Sequence, residues 1–254
     1  MRKSISVIAA AVMAISAVSC MKDDTIQYNN ITMGNVVNGA YVSDQGNTFN
    51  IVEQTCVGKI DTMQRALTVC DILTRTEGGQ ENEYDVRVNM MLEVLVKDIV
   101  AAGTEPGEDM KAEHLIDIDK VWISGGYINM AVLFPYNPAN KAKHMVNLIQ
   151  QESAEAGTYA FRLTHNAYED EIKDNDTAGY QISGGYVSFP LNSLIKEDEA
   201  KILISWKSFD IMFRPLEEKI EGTYIKDGFE QTPLITSAAT RVAISDVTPK
   251  SWTV

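Results

Sequence analysis

The chain has 254 residues, a formal net charge of −13, and a composition that is 45% hydrophobic but only 8% aromatic. That length suits one large or two small domains, and the acidity repels phosphate backbones and anionic membrane surfaces, which excludes nucleic acid as a partner. Neither the N-terminal apolar run nor any later segment reaches the roughly 20 apolar residues that a membrane-spanning helix needs.

The N-terminus reads as a targeting segment. Met1-Arg2-Lys3 is followed by an uncharged, mostly apolar run from Ile5 to Ile15, then the small residues Ser16-Ala17-Val18-Ser19, then Cys20. A basic start, a short apolar core and small residues before a cut site make a secretory signal peptide over residues 1–19. A cysteine at the first position after the cut is the lipid acceptor of bacterial lipoproteins, so Cys20 is the expected lipidation site. Diacylglycerol plus an N-acyl chain exceeds the two membrane signals that stable anchoring requires. Losing Arg2 and Lys3 with the signal moves the formal charge from −13 to −15. Lys22-Asp23-Asp24 resembles the short acidic export signal of surface lipoproteins in Bacteroidota-type outer membranes. The expected location is the outer membrane, lipid-anchored and surface-exposed, with a periplasm-facing orientation as the alternative. Residues 20–35 are expected to be the lipidated tether.

Strand signals then dominate. Tyr41–Ser43 and Thr48–Val52 flank the hairpin-like turn Asp44-Gln45-Gly46-Asn47, and Ala66–Leu73 is a β-rich run. In Val86–Val96, Val86, Val88, Met90, Leu92, Val94 and Val96 alternate with polar residues, and Met91 and Leu95 are the exceptions; period 2 predicts one half-buried strand. Cys56 and Cys70, an even pair in an exported chain, are a possible disulfide, with two buried free thiols as the alternative. The stretch 101–113, with Gly103, Pro106 and Gly107, reads as a linker between a first domain at 36–100 and a second at 114–254. Beyond it, Ile128, Met130, Val132 and Phe134 alternate, as do Tyr159, Phe161 and Leu163, and Ile202, Ile204 and Trp206. This predicts an antiparallel β-sandwich. Ile123-Ser124-Gly125-Gly126-Tyr127-Ile128 recurs as Ile182-Ser183-Gly184-Gly185-Tyr186-Val187, which reads as the same turn chemistry used at the start of two strands.

One order of short motifs carries a resemblance. After the lipid-acceptor cysteine come Tyr41-Val42-Ser43-Asp44-Gln45-Gly46, Met63-Gln64-Arg65-Ala66-Leu67, Cys70-Asp71-Ile72-Leu73 and Asn82-Glu83-Tyr84-Asp85-Val86-Arg87-Val88. Trp122-Ile123-Ser124-Gly125-Gly126-Tyr127-Ile128-Asn129, His165-Asn166-Ala167-Tyr168 and Gly185-Tyr186-Val187-Ser188-Phe189 follow. The chain resembles the NigD-like lipoprotein family to about Phe209. The resemblance implies an all-β chain, an N-terminal OB-type β-barrel followed by a C-terminal β-sandwich, in an outer-membrane lipoprotein with no established catalytic residues.

No residue pattern points to an active site or a cofactor. His114, His144 and His165 are far apart in sequence and show no metal-ligand spacing, and His165 continues the apolar face of its strand, where a satisfied buried histidine is expected. No Gly-x-Ser-x-Gly elbow or phosphate-cradling glycine loop occurs. Asp117 and Asp119 at i, i+2 on a strand share a face near Trp122, a spacing that sugar chemistry could use but that a strand-edge charge pair explains. Glu169, Asp170, Glu171, Asp174 and Asp176 crowd one loop without the full calcium-loop pattern, which reads as a solvated loop. The expected function is therefore a non-enzymatic binding or accessory envelope protein with an unknown protein or glycan partner. The alternative is a glycan-active or glycan-binding protein using the C-terminal acids.

Overall fold

The computed structural model describes residues 26–226 apart from positions 59, 141, 154, 174 and 175, together with 232–233 and 235–236. The signal segment, Cys20, Lys22, Asp23, Asp24 and Asp174 lie outside the described residues. Among those described, no helix is long and apolar enough to cross a membrane.

Five strands, β1 (Ile26–Val37), β2 (Ala40–Ser43), β3 (Thr48–Gln54), β4 (Arg65–Arg75) and β5 (Glu83–Glu93), close into a barrel in the order β1-β2-β3-β5-β4. The β3–β5 pair is parallel and the other pairs antiparallel, the OB-type closure. Tyr41, Phe49, Ile72, Val86 and Val88 fill the interior, and the Tyr41 hydroxyl donates to the Thr32 carbonyl at 2.5 Å. The barrel begins earlier than the sequence suggested. Ile26, Gln27 and Tyr28 pair with Ile72, Asp71 and Cys70, so much of the stretch expected as tether is strand β1. Closure is the reason: without these residues the far half of β4 would have an unpaired edge.

The long alternation at Val86–Val96 is broken by a bulge. Val69 pairs with Met90 and Cys70 with Val88, which leaves Asn89 without an opposite residue. Val86 and Val88 therefore point into the barrel, and after the bulge Met91 does. Met90 and Leu92 turn outward to pack with Met33, Leu67, Val94, Trp122 and Tyr186 between the two domains. The chain then crosses directly into the second domain, because β6 (Leu95–Val96) pairs with Val187 and Ser188. The domain change thus lies at Val94, and the stretch expected as a linker belongs to the sandwich. Helix α1 (Glu108–Lys111) packs on strand β10 (Thr158–Asn166), where Thr164 Oγ1 donates to the Met110 carbonyl at 2.7 Å and Asn166 Nδ2 to the Asp109 carbonyl at 3.0 Å.

The remaining strands are β7 (Asp117–Ser124), β8 (Tyr127–Tyr136), β9 (Met145–Gln151), β11 (Gln181–Pro190), β12 (Glu199–Phe209), β13 (Pro215–Ile225), β14 (Thr232–Pro233) and β15 (Ile235–Thr236). They form two five-stranded sheets, β14-β7-β8-β11-β6 and β15-β13-β12-β10-β9. Ile118, Ile128, Met130, Leu148, Phe161, Phe189, Ile202 and Trp206 are packed between them. The sandwich is not wholly antiparallel. The chain leaves β10 for β11 in the other sheet and returns as β12 beside β10, so β10 and β12 run parallel.

The repeated Ser-Gly-Gly-Tyr motif has two different structures. Gly125 and Gly126 form the β7–β8 turn with φ of 58° and 82°, whereas Gly184 lies within β11, where a Cβ would come within 2.2 Å of the Val132 carbonyl oxygen. The first pair needs positive φ and the second needs close backbone approach. Cys56 and Cys70 are both free thiols. Cys70 is in the barrel core beside Thr68, with its thiol pKa raised by burial, and Cys56 follows β3 with Sγ 3.9 Å from the Val88 carbonyl.

Candidate functional site

The ten-residue strand β8 links two polar networks, one at each end of the sandwich, about 30 Å apart. The first joins the domains. Arg65 at the start of β4 is fully buried, and its guanidinium donates to both oxygens of Asp44 at 2.9 and 2.5 Å. It also donates to Asn35 Oδ1 (2.9 Å), Asn129 Oδ1 (3.0 Å) and Ser188 Oγ (3.0 Å). The Tyr127 ring stacks on its face at 4.2 Å, and Ser124 Oγ donates to Asp44 at 2.5 Å. Every guanidinium nitrogen is used, by groups from both domains, which is what a buried charge requires. Gly125 makes room for this: a Cβ there would lie 2.3 Å from Asp44 Oδ1.

The second network, at the distal end, is the candidate site, and it brings together the three histidines. His144 Nδ1 lies 2.9 Å from His165 Nε2, and His144 Nε2 lies 3.1 Å from Asp170 Oδ2. His165 Nδ1 is 2.9 Å from the Leu115 carbonyl. A carbonyl only accepts, so His165 Nδ1 carries the proton, by the hydrogen-bond logic that assigns ring tautomers. Burial, then the neighbouring His144, pushes the His165 pKa down to about 3, so its ring is neutral and Nε2 accepts from His144. Two protons on His144 then satisfy both of its contacts: Nδ1–H toward His165 and Nε2–H toward the Asp170 carboxylate. Asp170 also accepts from the Asn137 backbone N–H (3.0 Å) and Asn140 Nδ2 (2.8 Å). Phe134 stacks on His144 at 4.5 Å.

His114 completes the group. Its Nδ1 accepts the Ala167 backbone N–H at 2.9 Å, leaving Nε2 to carry the proton 3.5 Å from Glu171 Oε1. Desolvation lowers its pKa. A cavity of about 180 Å³ opens beside these residues, walled by His114, His165, Glu171, Lys207, Phe213 and Pro215. That holds a few waters or one small polar group and is below the usual size of a small-molecule site. Two aromatic residues near it have positive φ, Tyr168 at 48° and Phe213 at 56°. Such backbone strain persists only where the surroundings enforce it. Among the described residues no group of three or more His, Cys, Asp or Glu is arranged to hold a metal.

The acids singled out in the sequence have specific structural partners. Asp117 accepts from Trp206 Nε1 (3.2 Å) and Ser208 Oγ (2.8 Å), tying the two sheets together, and a register shift between Ile118 and Lys120 interrupts the regular alternation at Asp119. Asp170, placed by sequence in a solvated loop, is 1% exposed and is the hub of the distal network. His165 is buried and satisfied at both nitrogens, as its strand position indicated. Sequence spacing could not reveal the grouping, because the segment before β9, strand β10 and the loop after β10 contribute one member each. The one available signal was a histidine at the end of an apolar strand face, which needs partners when buried.

Residues 99–214 match the family described as NigD-like C-terminal beta sandwich domain. A search of curated proteins finds no match. Three solved structures share the fold. A NigD-like immunity protein from Bacteroides caccae is 15% identical with a TM-score of 0.57, covering 82% of this chain and 100% of that one. A candidate toxin-related protein from Parabacteroides distasonis is 22% identical with a TM-score of 0.56, covering 80% and 95%. A candidate lipoprotein from Bacteroides fragilis is 12% identical with a TM-score of 0.54, covering 77% and 97%.

Proposed function

We propose that this chain, whose residues 99–214 match the NigD-like C-terminal beta sandwich domain, is a NigD-like, non-enzymatic binding protein anchored by lipid on Cys20 and displayed on the outer membrane. The observation that carries this reading is the placement of the two ends. Strand β1 begins at Ile26, opposite Ile72 and away from the Arg65 junction, so the chain enters the barrel at the end remote from the sandwich. The histidine cavity and its loops lie at the far end of the sandwich. A tether six residues before Ile26 therefore holds the barrel toward the membrane and the distal loops away from it. The direct coupling of β5 to β6 and the Arg65 network keep that orientation fixed.

A binding role is favoured over sugar chemistry because the relevant carboxylates are already committed. Asp117 holds Trp206 and Ser208, and Asp170 holds His144, Asn137 and Asn140. Glycoside cleavage needs two carboxyl groups about 5–10 Å apart facing the same substrate. The likeness to a candidate lipoprotein and to an immunity protein of the same fold is consistent with an envelope role.

Fractionation of cells expressing Cys20→Ala tests the anchor. The variant should leave the membrane fraction or accumulate unprocessed, and a processed variant that stays with the membrane overturns the reading. Replacing Lys22, Asp23 and Asp24 with alanine should reduce cleavage by protease added outside the cell while lipid labelling persists.

A further inference from the structure

The β12–β13 hairpin, which walls the distal cavity, presents an unusual tip. Ile211 is 72% exposed, Met212 64% and Leu216 40%, three large apolar side chains within six residues. Isolated exposed apolar residues are ordinary, but a cluster held on a rigid support marks a contact surface. This support is rigid. Asp210 Oδ1 accepts from the backbone N–H groups of Met212 (2.8 Å) and Arg214 (3.0 Å), and its Oδ2 accepts from Arg214 Nε at 2.7 Å. Phe213 N–H bonds back to the Asp210 carbonyl at 2.9 Å, and the Phe213 ring packs 5.7 Å from Phe209. The positive φ of Phe213 bends the chain so that Ile211 and Met212 face outward. A tip already fixed in shape loses little conformational freedom when it docks.

We propose that this hairpin is a docking finger, with Ile211 and Met212 entering an apolar recess on a protein partner of net positive charge. The proposal rests on the anchored orientation above and names the kind of partner that orientation presents. A lipid surface is disfavoured on two grounds: the finger is at the end opposite the tether, and the chain's net negative charge, −13 before and −15 after loss of Arg2 and Lys3, repels anionic headgroups. At the finger itself the charges are balanced. Arg162 is held by Glu113 and Glu217, and Arg214 by Asp210. Affinity at the tip is therefore apolar, and the long-range field of the whole acidic chain selects a cationic partner and speeds encounter. Seating two aliphatic side chains requires a recess lined by apolar groups, in the manner of interface anchor residues.

The test places a photoreactive benzoylphenylalanine at Met212 of the full chain in intact cells, with the same probe at exposed Val57 on the barrel as control. One discrete protein adduct is expected from position 212 and not from 57. Identified by mass spectrometry and purified, that protein should bind the full chain, weaken as salt is raised, and lose about tenfold or more in affinity with Ile211→Asp. Because Ile211 is exposed, its variant should melt as the parent does, which separates lost docking from lost folding. Adducts with lipid alone, no adduct from a displayed chain, or a protein partner indifferent to Ile211→Asp each overturn the finger. A displayed chain whose tip captures nothing leaves the anchor standing; a processed Cys20→Ala chain that stays with the membrane removes the anchor whatever the tip captures.

Discussion

The two ends of the sandwich bury polar networks of similar size built from different chemistry. At the barrel junction the central charge is a guanidinium, permanently ionised, with five hydrogen bonds to four residues fixed on strands and turns of both domains. At the distal end the central groups are imidazoles, held by loops that include strained Tyr168. A group that never titrates suits a joint that must hold under all conditions. An imidazole can change charge, and burial holds the His165 ring neutral, so the order of the distal end depends on that ring staying unprotonated. The difference teaches which end is structural and which is free to respond to its surroundings.

Breaking the junction should have the largest effect. Arg65→Met leaves Asp44 buried without its cation and should cost roughly 3–5 kcal/mol, read by urea denaturation. Separate transitions for the two domains are expected in place of one, and a loss below about 1 kcal/mol would show that the junction is not held by this charge. At the distal end, Asp170→Ala should cost about 3 kcal/mol by orphaning His144. Its hydrogen-exchange signature should be faster exchange confined to 137–145 and 167–172, with the barrel unchanged.

The His165 ring gives the distal end a pH signature. Its folded pKa is depressed from the ordinary 6.5 to about 3, so as the pH falls the unfolded chain takes up the proton first. Its stabilising contribution is complete above about pH 6.5 and declines by about 1.4 kcal/mol per pH unit until about pH 3. Denaturation midpoints across that window should slope accordingly, and His165→Gln should flatten the slope; an equal slope in the variant refutes the assignment. A smaller change tests the fit of the junction. Gly125→Ala, which adds a Cβ at a positive φ against Asp44, should cost about 1–2 kcal/mol, measured by thermal melting. The smallest expected effect is at the cysteines, where reduction should leave the melting temperature unchanged because both thiols are free.

Much of the scaffold was legible in the sequence, because strand alternation is local. Ile128, Met130, Val132 and Phe134, and Ile202, Ile204 and Trp206, are buried as their spacing indicated. The alternation failed at Asn89, where a bulge changes which face is inside, and the sequence marked the place only as the exception at Met91. The linker reading failed because Gly103, Pro106 and Gly107 report turns whether or not the segment between them packs. The distal network was hidden because its members come from segments with no common spacing.

By itself the sequence determined the all-β class and the segments that form strands, since both follow from side-chain periodicity within about ten residues, while the order of barrel and sandwich was implied by the family resemblance. The tertiary structure alone decided that Arg65 closes the domain junction, that His144 and His165 share one proton network with Asp170 while His114 lies next to it, and that the Ile211–Met212 tip stands beside them. Those outcomes depend on which strands become neighbours when the sheets form, and hydrogen bonds between such residues carry no signature in the local order of the chain.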